Sequence, residues 1–571
     1  MTELNPALIL IIGALPLALL PVSLRKAWML FLPLACLYQV SFGDSGSFGH
    51  MNLMGMELET YRLDSLSRIF AIIFSIAAGL SVIYSLHQDD PVQETAGLIY
   101  SGSAIGAALA GDLLTLFIFW ELTAISSVFL IWARGTDRAY KAGMRYMLIQ
   151  VGSGVLLLAG TLVHYAQTGS LAFNALGIES LGGKIILVAF GIKCAFPLLH
   201  NWLQDAYPEA TVTGTVWLSA FTTKLAVYAL ARGYAGTEML IWVGVVMTAF
   251  PIFYAVIEND LRRVLAYSLN NQLGFMVTGI GVGTELALNG TVAHAFCHIL
   301  YKGLLFMSMG AVMFRTGTCK GSELGGLYKS MPWTTGFCIV GAASISAFPL
   351  FSGFVSKSMI LAALAENGYF VPWLVLLFAS AGVFHHSGIK IPFFAFFAHD
   401  SGRRVEEAPR NMLIAMGVAS FLCIGIGVLP GPLYAMLPYP VDFSPYTFEH
   451  VVTQLQLLLF SALAFTWLMR GGVYPPELRS VVLDTDVLYR KGLPAFAHWF
   501  CRVFGPMDAA VRRWLVRGFS RFAGQVSRYS GPEGALARSV GSGSMTFWII
   551  VVLAVYLAIT FAGNGIGGGG H

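Results

Sequence analysis

The stretch IILVAFGIKCAFPLLHNW, residues 185–202, is apolar almost throughout, yet it carries Lys193 in its middle and His200 near its end. A lysine at the centre of a membrane helix costs about 2.5–3.5 kcal/mol on insertion scales. Pro197 lies between the two and removes a backbone hydrogen bond, so a helix running through it is expected to kink or open. His200 comes seven residues after Lys193, two helical turns, and both project from one face if the helix continues. Lys224, Lys302 and Lys357 lie in three other apolar stretches and Glu121 in a fifth. Ionisable groups at membrane depth read as stations of a charge pathway, and an interrupted helix beside one recurs at transporter midplane sites.

The surrounding composition agrees. Of 571 residues, 56% are hydrophobic and 11% charged, against about 25% charged in soluble domains. The fold class expected is an all-α polytopic membrane protein whose partner is the lipid bilayer. The net charge of +4 is small, and the basic residues fall in short loops and one late segment, which is no nucleic-acid signature. Seven cysteines (36, 194, 297, 319, 338, 423 and 501) show no CxxC or CxxH pairing, so neither a disulfide framework nor a metal site is expected. The chain carries no Gly-x-Gly-x-x-Gly loop, iron–sulfur set or haem motif; no cofactor is expected, and any redox chemistry belongs to another polypeptide. Residues 6–24 lack a basic leader and an A-x-A site, so they read as a first span rather than a cleaved signal. The terminal Gly567-Gly568-Gly569-Gly570-His571 is low complexity and is set aside.

A span needs about 20 apolar residues. Candidates begin near residues 6, 27, 64, 95, 113, 141, 183, 211, 238, 264, 287, 334, 370, 411, 450 and 545, about sixteen in all, with the runs near 334 and 370 broken by Pro349 and Pro392. With the N-terminus outside the cytoplasm, the loops bearing Arg25/Lys26, Arg134/Arg138/Lys141, Arg262/Arg263, Arg315/Lys320/Lys329 and Arg403/Arg404/Arg410 all fall on one side. The intervening loops, such as residues 167–182 and 439–449, are almost free of Lys and Arg. That asymmetry is the positive-inside rule, and it places the chain in a bacterial inner membrane with the basic loops cytoplasmic.

The grammar of the opening stretch recurs. Lys357, in Phe348-Pro349-Leu350-Phe351-Ser352-Gly353-Phe354-Val355-Ser356-Lys357, comes after a proline and a glycine inside a long apolar segment. Two such segments suggest an internal duplication, residues 95–233 against 238–400. Residues 1–94 then form N-terminal helices and 401–470 C-terminal core helices. Residues 471–540 form an amphipathic, lateral segment on the cytoplasmic side, and 541–571 a last span and tail. From Arg470 to Arg538 the chain is arginine-rich. Between residues 510 and 522, Val511, Trp514, Leu515, Gly518, Phe519 and Phe522 keep helical spacing, with Arg512, Arg513, Arg517 and Arg521 at other positions. A helix at the membrane surface is expected, with a loosely ordered basic loop as the alternative. Residues 547–562 cross back.

His294, His298 and Lys302 are spaced four apart on one helical stripe. A metal is disfavoured because protonated lysine is a poor ligand and no carboxylate or cysteine completes the set. Neutral histidine both accepts and donates, so a proton relay is the better reading, beside the plain alternative of core histidines bonding carbonyls. His385, His386 and Lys390 in a later apolar run either extend the relay or sit at a hydrated end. Glu121 and Lys193 make a natural switch, because an opposite charge nearby favours the ionised form of each. The alternative is a static buried ion pair that fixes packing.

These motifs resemble the antiporter-like family, which comprises the D-type and A-type subunits of Mrp multisubunit cation/proton antiporters and the proton-pumping membrane subunits of respiratory complex I. The resemblance spans about residues 64–400. Phe119-Trp120-Glu121 resembles the family's fifth-helix motif, and Lys193 with Phe196-Pro197-Leu198-Leu199-His200-Asn201-Trp202-Leu203 its broken seventh helix. Leu218-Ser219-Ala220-Phe221-Thr222-Thr223-Lys224 resembles the eighth, and Asp260-Leu261-Arg262-Arg263 the entry to the tenth. His294, His298 and Lys302 fit the eleventh, and Ser352-Gly353-Phe354-Val355-Ser356-Lys357 the broken twelfth. The resemblance implies fourteen core helices with two inverted five-helix repeats. It implies Glu121 as the acid of a charge pair, Lys193 as its partner, Lys224, His294, His298 and Lys302 as intermediate carriers, and Lys357 as the terminal proton site. A lysine at 357 is similar to the D-type and largest complex I subunit pattern, where some relatives use glutamate. Where the family often has Trp-Leu-Pro-Asp-Ala-His, this chain has Trp202-Leu203-Gln204-Asp205-Ala206-Tyr207. The next residues, Pro208 to Thr215, look like the D-type Mrp branch. The late surface helix resembles the lateral helix of the largest complex I subunit, which bridges to neighbours.

The function expected is therefore a proton-translocating subunit of an Mrp-type sodium/proton antiporter working with other membrane subunits, an ion transporter rather than an enzyme. The alternatives are a proton-pumping subunit of a complex I-like dehydrogenase or membrane hydrogenase, and the membrane partner of an inorganic-carbon uptake complex.

Overall fold

Four aspartates set the helix starts on which the bundle is built. Asp64, Asp90, Asp112 and Asp260 each accept hydrogen bonds from backbone N–H groups of the first turn of the next helix, satisfying donors that have no intrahelical partner. The computed structural model describes residues 4–53, 55–474, 477–478, 482–532, 534, 536 and 541–564; Arg538 and the glycine-rich tail lie outside these. It divides into two compact units, residues 1–484 and 485–571.

The first unit opens with α1 (Ala7–Ala14, extended by a 3-10 turn, Leu15–Leu19) and α2 (Val22–Phe42). Next come α3 (Ser65–Ser85), α4 (Pro91–Ala108), α5 (Leu113–Trp132), α6 (Asp137–Thr168), α7 (Leu181–Lys193), α8 (Asn201–Ala206), α9 (Gly214–Ala220), α10 (Thr222–Gly233), α11 (Met239–Ile257), α12 (Leu261–Val282) and α13 (Glu285–Thr316). After these come α14 (Pro332–Ile345), α15 (Ser352–Glu366), α16 (Phe370–Val383), α17 (Lys390–Pro392), α18 (Arg410–Val428), α19 (Gly431–Tyr434) and α20 (Phe448–Arg470). Each predicted span start has a helix beginning within five residues of it. Among the described residues nine helices are long and apolar enough to cross a membrane unaided; α2, α4 and α12 are long enough but more polar, and the remaining helices of this unit are shorter. α13 is the hub, buried from Ala287 to Val312 and packed against α3, α9, α12, α14, α15 and α18. α11 and α12 approach closely where Gly244 faces Gly274: a Cβ on Gly244 would lie 2.6 Å from the Gly274 carbonyl oxygen. Such small residues let membrane helices pack backbone to backbone.

Two expectations change. An antiparallel hairpin, β1 (Gly46–Leu53) with β2 (Met56–Leu63), interrupts the otherwise helical chain. Pro392 does not break its span; π-helical turns at Phe384–Ile389 and Phe393–Phe397 flank it and carry the helix through to Phe397. The break expected at Pro197 is present. α7 stops at Lys193, so the condition for His200 to share its face, a continuing helix, is not met.

The break at Pro197 and the break at Pro349 repeat one geometry on one tetrapeptide, Ala-Phe-Pro-Leu. Ala195 and Ala347 take the left-handed conformation (φ 60° and 57°), as do Leu198 and Leu350 (φ 70° and 74°). The Phe196 N–H donates to the Gly191 carbonyl (2.9 Å) and the Phe348 N–H to the Ala343 carbonyl (3.0 Å). Ala195 donates to Ile192 and Ala347 to Ser344, each at 3.1 Å. Both ends are Schellman caps.

The basic loops meet at one end of the bundle. Arg134, Arg138, Arg262 and Lys320 line one polar cavity there with Glu209, Asp260 and Glu323. Arg315 donates to the Glu407 carbonyl, Arg403 to that of Thr316, and Asn411 to those of Ile83 and Tyr84, near the Arg25–Glu94 ion pair (2.8 Å). Outside the spans at this end, hydrogen bonds from Arg404 and Lys329 hold the Asp400 carboxyl well below the usual carboxylate range.

In the second unit, α21 runs from Leu493 to Ser530 and α22 from Ser542 to Asn564. α21 is thus 38 residues long, well beyond the amphipathic stretch at 510–522, with Pro506 accommodated inside it.

Alanine in the left-handed region costs about 1–2 kcal/mol. Ala195→Gly and Ala347→Gly are therefore expected to raise the thermal unfolding midpoint in detergent, each by the equivalent of about 1 kcal/mol, whereas Val at either position lowers it.

Candidate functional site

The end of α7 puts Lys193 at the last helical position, where a helix exposes carbonyls and its dipole favours a cation. Its Nζ donates to the Trp120 carbonyl (2.5 Å) and the Thr123 hydroxyl (2.8 Å), and it lies 4.4 Å from the centre of the Trp120 ring. Trp120 is held in turn: its indole N–H donates to the Ser153 hydroxyl (3.0 Å), which donates to the Ala189 carbonyl (2.8 Å). Glu121, on the same helix as Trp120, points at α6. Gly154 leaves it room, since a Cβ there would fall 1.3 Å from Oε1. Glu121 and Lys193 feel each other's charge without touching. The pair is open.

Lys224 begins the next step. α9 ends at Ala220 and α10 begins at Thr222, and Lys224 Nζ reaches back to the Ser219 carbonyl (2.5 Å). It interacts electrostatically with Cys194, next to Lys193, and with His294, His298 and Lys302. These three stand on unbroken α13, as their spacing predicts. His294 contacts the Ser356 hydroxyl through Nδ1 (3.0 Å) and the Gln272 amide oxygen through Nε2 (3.2 Å). The His298 ring lies 6.2 Å from that of His294 and 5.3 Å from that of Tyr301. Both His298 nitrogens and Lys302 Nζ are buried without a hydrogen-bond partner among the described residues. Lys357 comes directly after Ser356 on α15, and its Nζ donates to the Ile345 carbonyl (2.7 Å). Ile345 holds the place at the end of α14 that Lys193 holds at the end of α7. Both breaks therefore carry a lysine ammonium, one from the terminal residue itself and one from the helix beyond.

The secondary candidates divide. His386 is buried on the bundle side, within electrostatic reach of Lys302 and Lys357, and its Nδ1 contacts the Ser387 hydroxyl (2.9 Å). Lys390 does other work. Its Nζ donates to the carbonyls of Val256 (2.6 Å) and Glu258 (2.7 Å) at the end of α11 and pairs with Glu477 (2.9 Å). Burial pushes the Glu477 carboxyl up and Lys390 opposes it. His385 packs in an aromatic cluster with Phe465 and Tyr474. His200 lies off the line, 3.2 Å from Asp484, which also accepts from the Tyr267 hydroxyl (2.9 Å).

Sequence reading passed over Thr123, Gln272 and Tyr301, and over Asn270 and Gln150, whose buried amides have no partner among the described residues. Asn270-Asn271-Gln272, three amides inside an apolar run, was a signal available in the letters. Asp484 and Glu477 carried none, because their partners are remote in the chain.

Residues 110–398 match the family described as NADH:quinone oxidoreductase/Mrp antiporter, transmembrane. The chain is 32% identical over 325 residues to the D-type subunit of the Na(+)/H(+) antiporter of Alkalihalophilus pseudofirmus, covering 53% of this chain and 64% of that protein. It is 31% identical over 361 residues to the NADH-quinone oxidoreductase subunit N of Desulforudis audaxviator, covering 58% of this chain and 72% of that protein. The chain thus spans under two thirds of the antiporter protein it matches. A chain in the structure of the Mrp complex from Dietzia sp. DQ12-45-1b superposes with a TM-score of 0.73 at 22% identity, over 98% of this chain and 62% of that one.

Hydrogen bonds to charged groups contribute about 1.5–3 kcal/mol. Thr123→Val, which keeps the shape and removes the oxygen on Lys193, is expected to lower the thermal unfolding midpoint. Thr123→Ser should restore it.

Proposed function

The chain belongs to the NADH:quinone oxidoreductase/Mrp antiporter family of multi-span membrane proteins, and from that premise we propose that it is the proton-translocating subunit of an Mrp-type antiporter exchanging protons for sodium. One observation carries the reading. Glu121 interacts with Lys193, Lys224 with Cys194 beside Lys193 and with the α13 stripe, and the stripe with Lys357. A purely structural bundle has no use for so many buried ionisable groups, since each exacts a desolvation penalty.

The geometry supports a switch followed by a wire. With the carboxylate of Glu121 drawn up to Lys193, the ammonium is stabilised and keeps its proton. With Glu121 turned onto α6, Lys193 rests on a neutral carbonyl and hydroxyl and can pass a proton toward Lys224. The unpartnered nitrogens of His298 and Lys302 call for ordered water between the stations, because buried polar groups are met by protein or by water. Water beside neutral imidazoles moves protons in either direction. By the positive-inside rule the basic end faces the cytoplasm of a bacterial inner membrane. Other membrane subunits complete the assembly.

A second reading, a proton pump in a complex I-like dehydrogenase or hydrogenase, is favoured by the match over 72% of an NADH-quinone oxidoreductase subunit. Proton flux in proteoliposomes, with and without sodium, separates the two: an antiporter subunit gives sodium-dependent flux, a redox-driven pump none. Lys193→Ala is expected to abolish flux while membrane insertion and thermal stability stay near wild type. Unchanged flux in that variant would remove the switch.

A further inference from the structure

Lys357, at the far end of the line, borders an open cleft. The cavity, about 170 Å³, lies between α15, α16 and the first turns of α20, and its lining includes Lys357, Ser358, Glu449, His450, Thr453 and Gln454. The Schellman cap at the end of α14 leaves the carbonyls of Ile345 and Ser346 unmet. Lys357 takes the first (2.7 Å) and Gln454 Nε2 the second (3.0 Å). Two opposite walls of the cleft are thereby pinned to one helix end. His450 packs against Phe443 at 5.6 Å, and its Nδ1 is buried without a hydrogen-bond partner among the described residues. Glu449 is exposed beside it. The 439–449 loop leading here is one of those almost free of Lys and Arg, so the cleft opens away from the basic end.

We propose that this cleft is the water-filled outlet of the line and that His450 and Glu449 are its last proton carriers. The Lys357 ammonium gives one proton to a water in the cleft and is left as a neutral amine. That water passes a proton to the free nitrogen of His450, which yields one to Glu449 or to bulk water, so no net charge accumulates. Apolar lining from Leu361 and Trp373 makes a lipid tail the rival occupant. The inference rests on Lys357 being the terminal station, but its first test does not depend on transport.

Of the seven cysteines only Cys501 is exposed, so Cys501→Ser gives a quiet background for single cysteines at Ser358 and Thr453, one on each wall. In proteoliposomes carrying the full chain, both positions are expected to react with a charged, membrane-impermeant methanethiosulfonate added on the side of the 439–449 loop. Modification at Ser358→Cys should then remove most of the proton flux, and Glu449→Gln combined with His450→Gln should do the same without any label. Reaction with a lipid-soluble maleimide alone, reaction only from the basic side, or reaction at neither position overturns the outlet. So does full labelling that leaves flux untouched. If the wild-type chain itself moves no protons in proteoliposomes, labelling still reports whether the cleft holds water, so the two failures are told apart.

Discussion

A helix that stops inside a membrane leaves carbonyl oxygens that no bulk water can reach, and the core of this protein is arranged around two such ends. The Schellman caps at Ala195 and Ala347 return two N–H groups to each helix, but the final carbonyls remain. At α14 they are met by Lys357 and Gln454. At α7 the final residue is itself Lys193, whose ammonium crosses to α5. In both places a positive charge sits where the helix dipole is negative. The charge is thus anchored on neutral oxygens rather than on a carboxylate. That leaves Glu121 free to approach or withdraw without the lysine losing all its partners.

Between the two ends α13 does the opposite. It is unbroken from Glu285 to Thr316 and buried along most of its length, so the positions of His294, His298 and Lys302 are set rigidly by helical geometry. Their side chains are poorly met. His298 and Lys302 have no hydrogen-bond partner among the described residues, and His294 is shared among a serine, a glutamine and a tyrosine. In the proposed relay, anchored cations at fixed ends and under-bonded groups on a stiff rod between them would leave a proton no deep well. Unsatisfied polar groups carry a folding penalty of about 1–3 kcal/mol each. The surrounding apolar packing of α3, α12, α15 and α18 against the rod bears it.

Hydropathy and the isolated charges made the helix positions and the buried ionisable groups legible in the letters, because a bilayer punishes polarity severely enough to leave a clear pattern. The Ala-Phe-Pro-Leu tetrapeptide was visible too, but its structural consequence was not. A proline permits a kink, a bend or a full stop, and only the left-handed alanine before it and leucine after it make these stops. That is why His200, which shares a face with Lys193 only if the helix continues, stands beyond the stop. The same residue type at Pro392 leads to π-helical turns and a continuous span. Lys390, which the letters left between an extension of the relay and a hydrated end, donates to the carbonyls of Val256 and Glu258 at the end of α11, a pairing no local pattern reveals. The hairpin at 46–63 escaped because its alternation is short and mixed in polarity.

The two breaks share a backbone and differ in how the charge is delivered, and that difference gives the line a direction. Lys193 belongs to the helix that ends, and it faces Glu121 and Trp120 in the closed interior. Lys357 belongs to the helix that begins after the stop, reaches back to the same kind of carbonyl, and has open space along its flank. A lysine whose charge is tuned by a mobile acid suits a control point, since its protonation tracks the acid's position. One held by a carbonyl beside a cleft suits release, since the neutral amine keeps an N–H for that carbonyl and its deprotonation exposes no carboxylate. On the proposed reading, repeating a broken helix and moving its lysine from one side of the stop to the other turns one element into an input and an output.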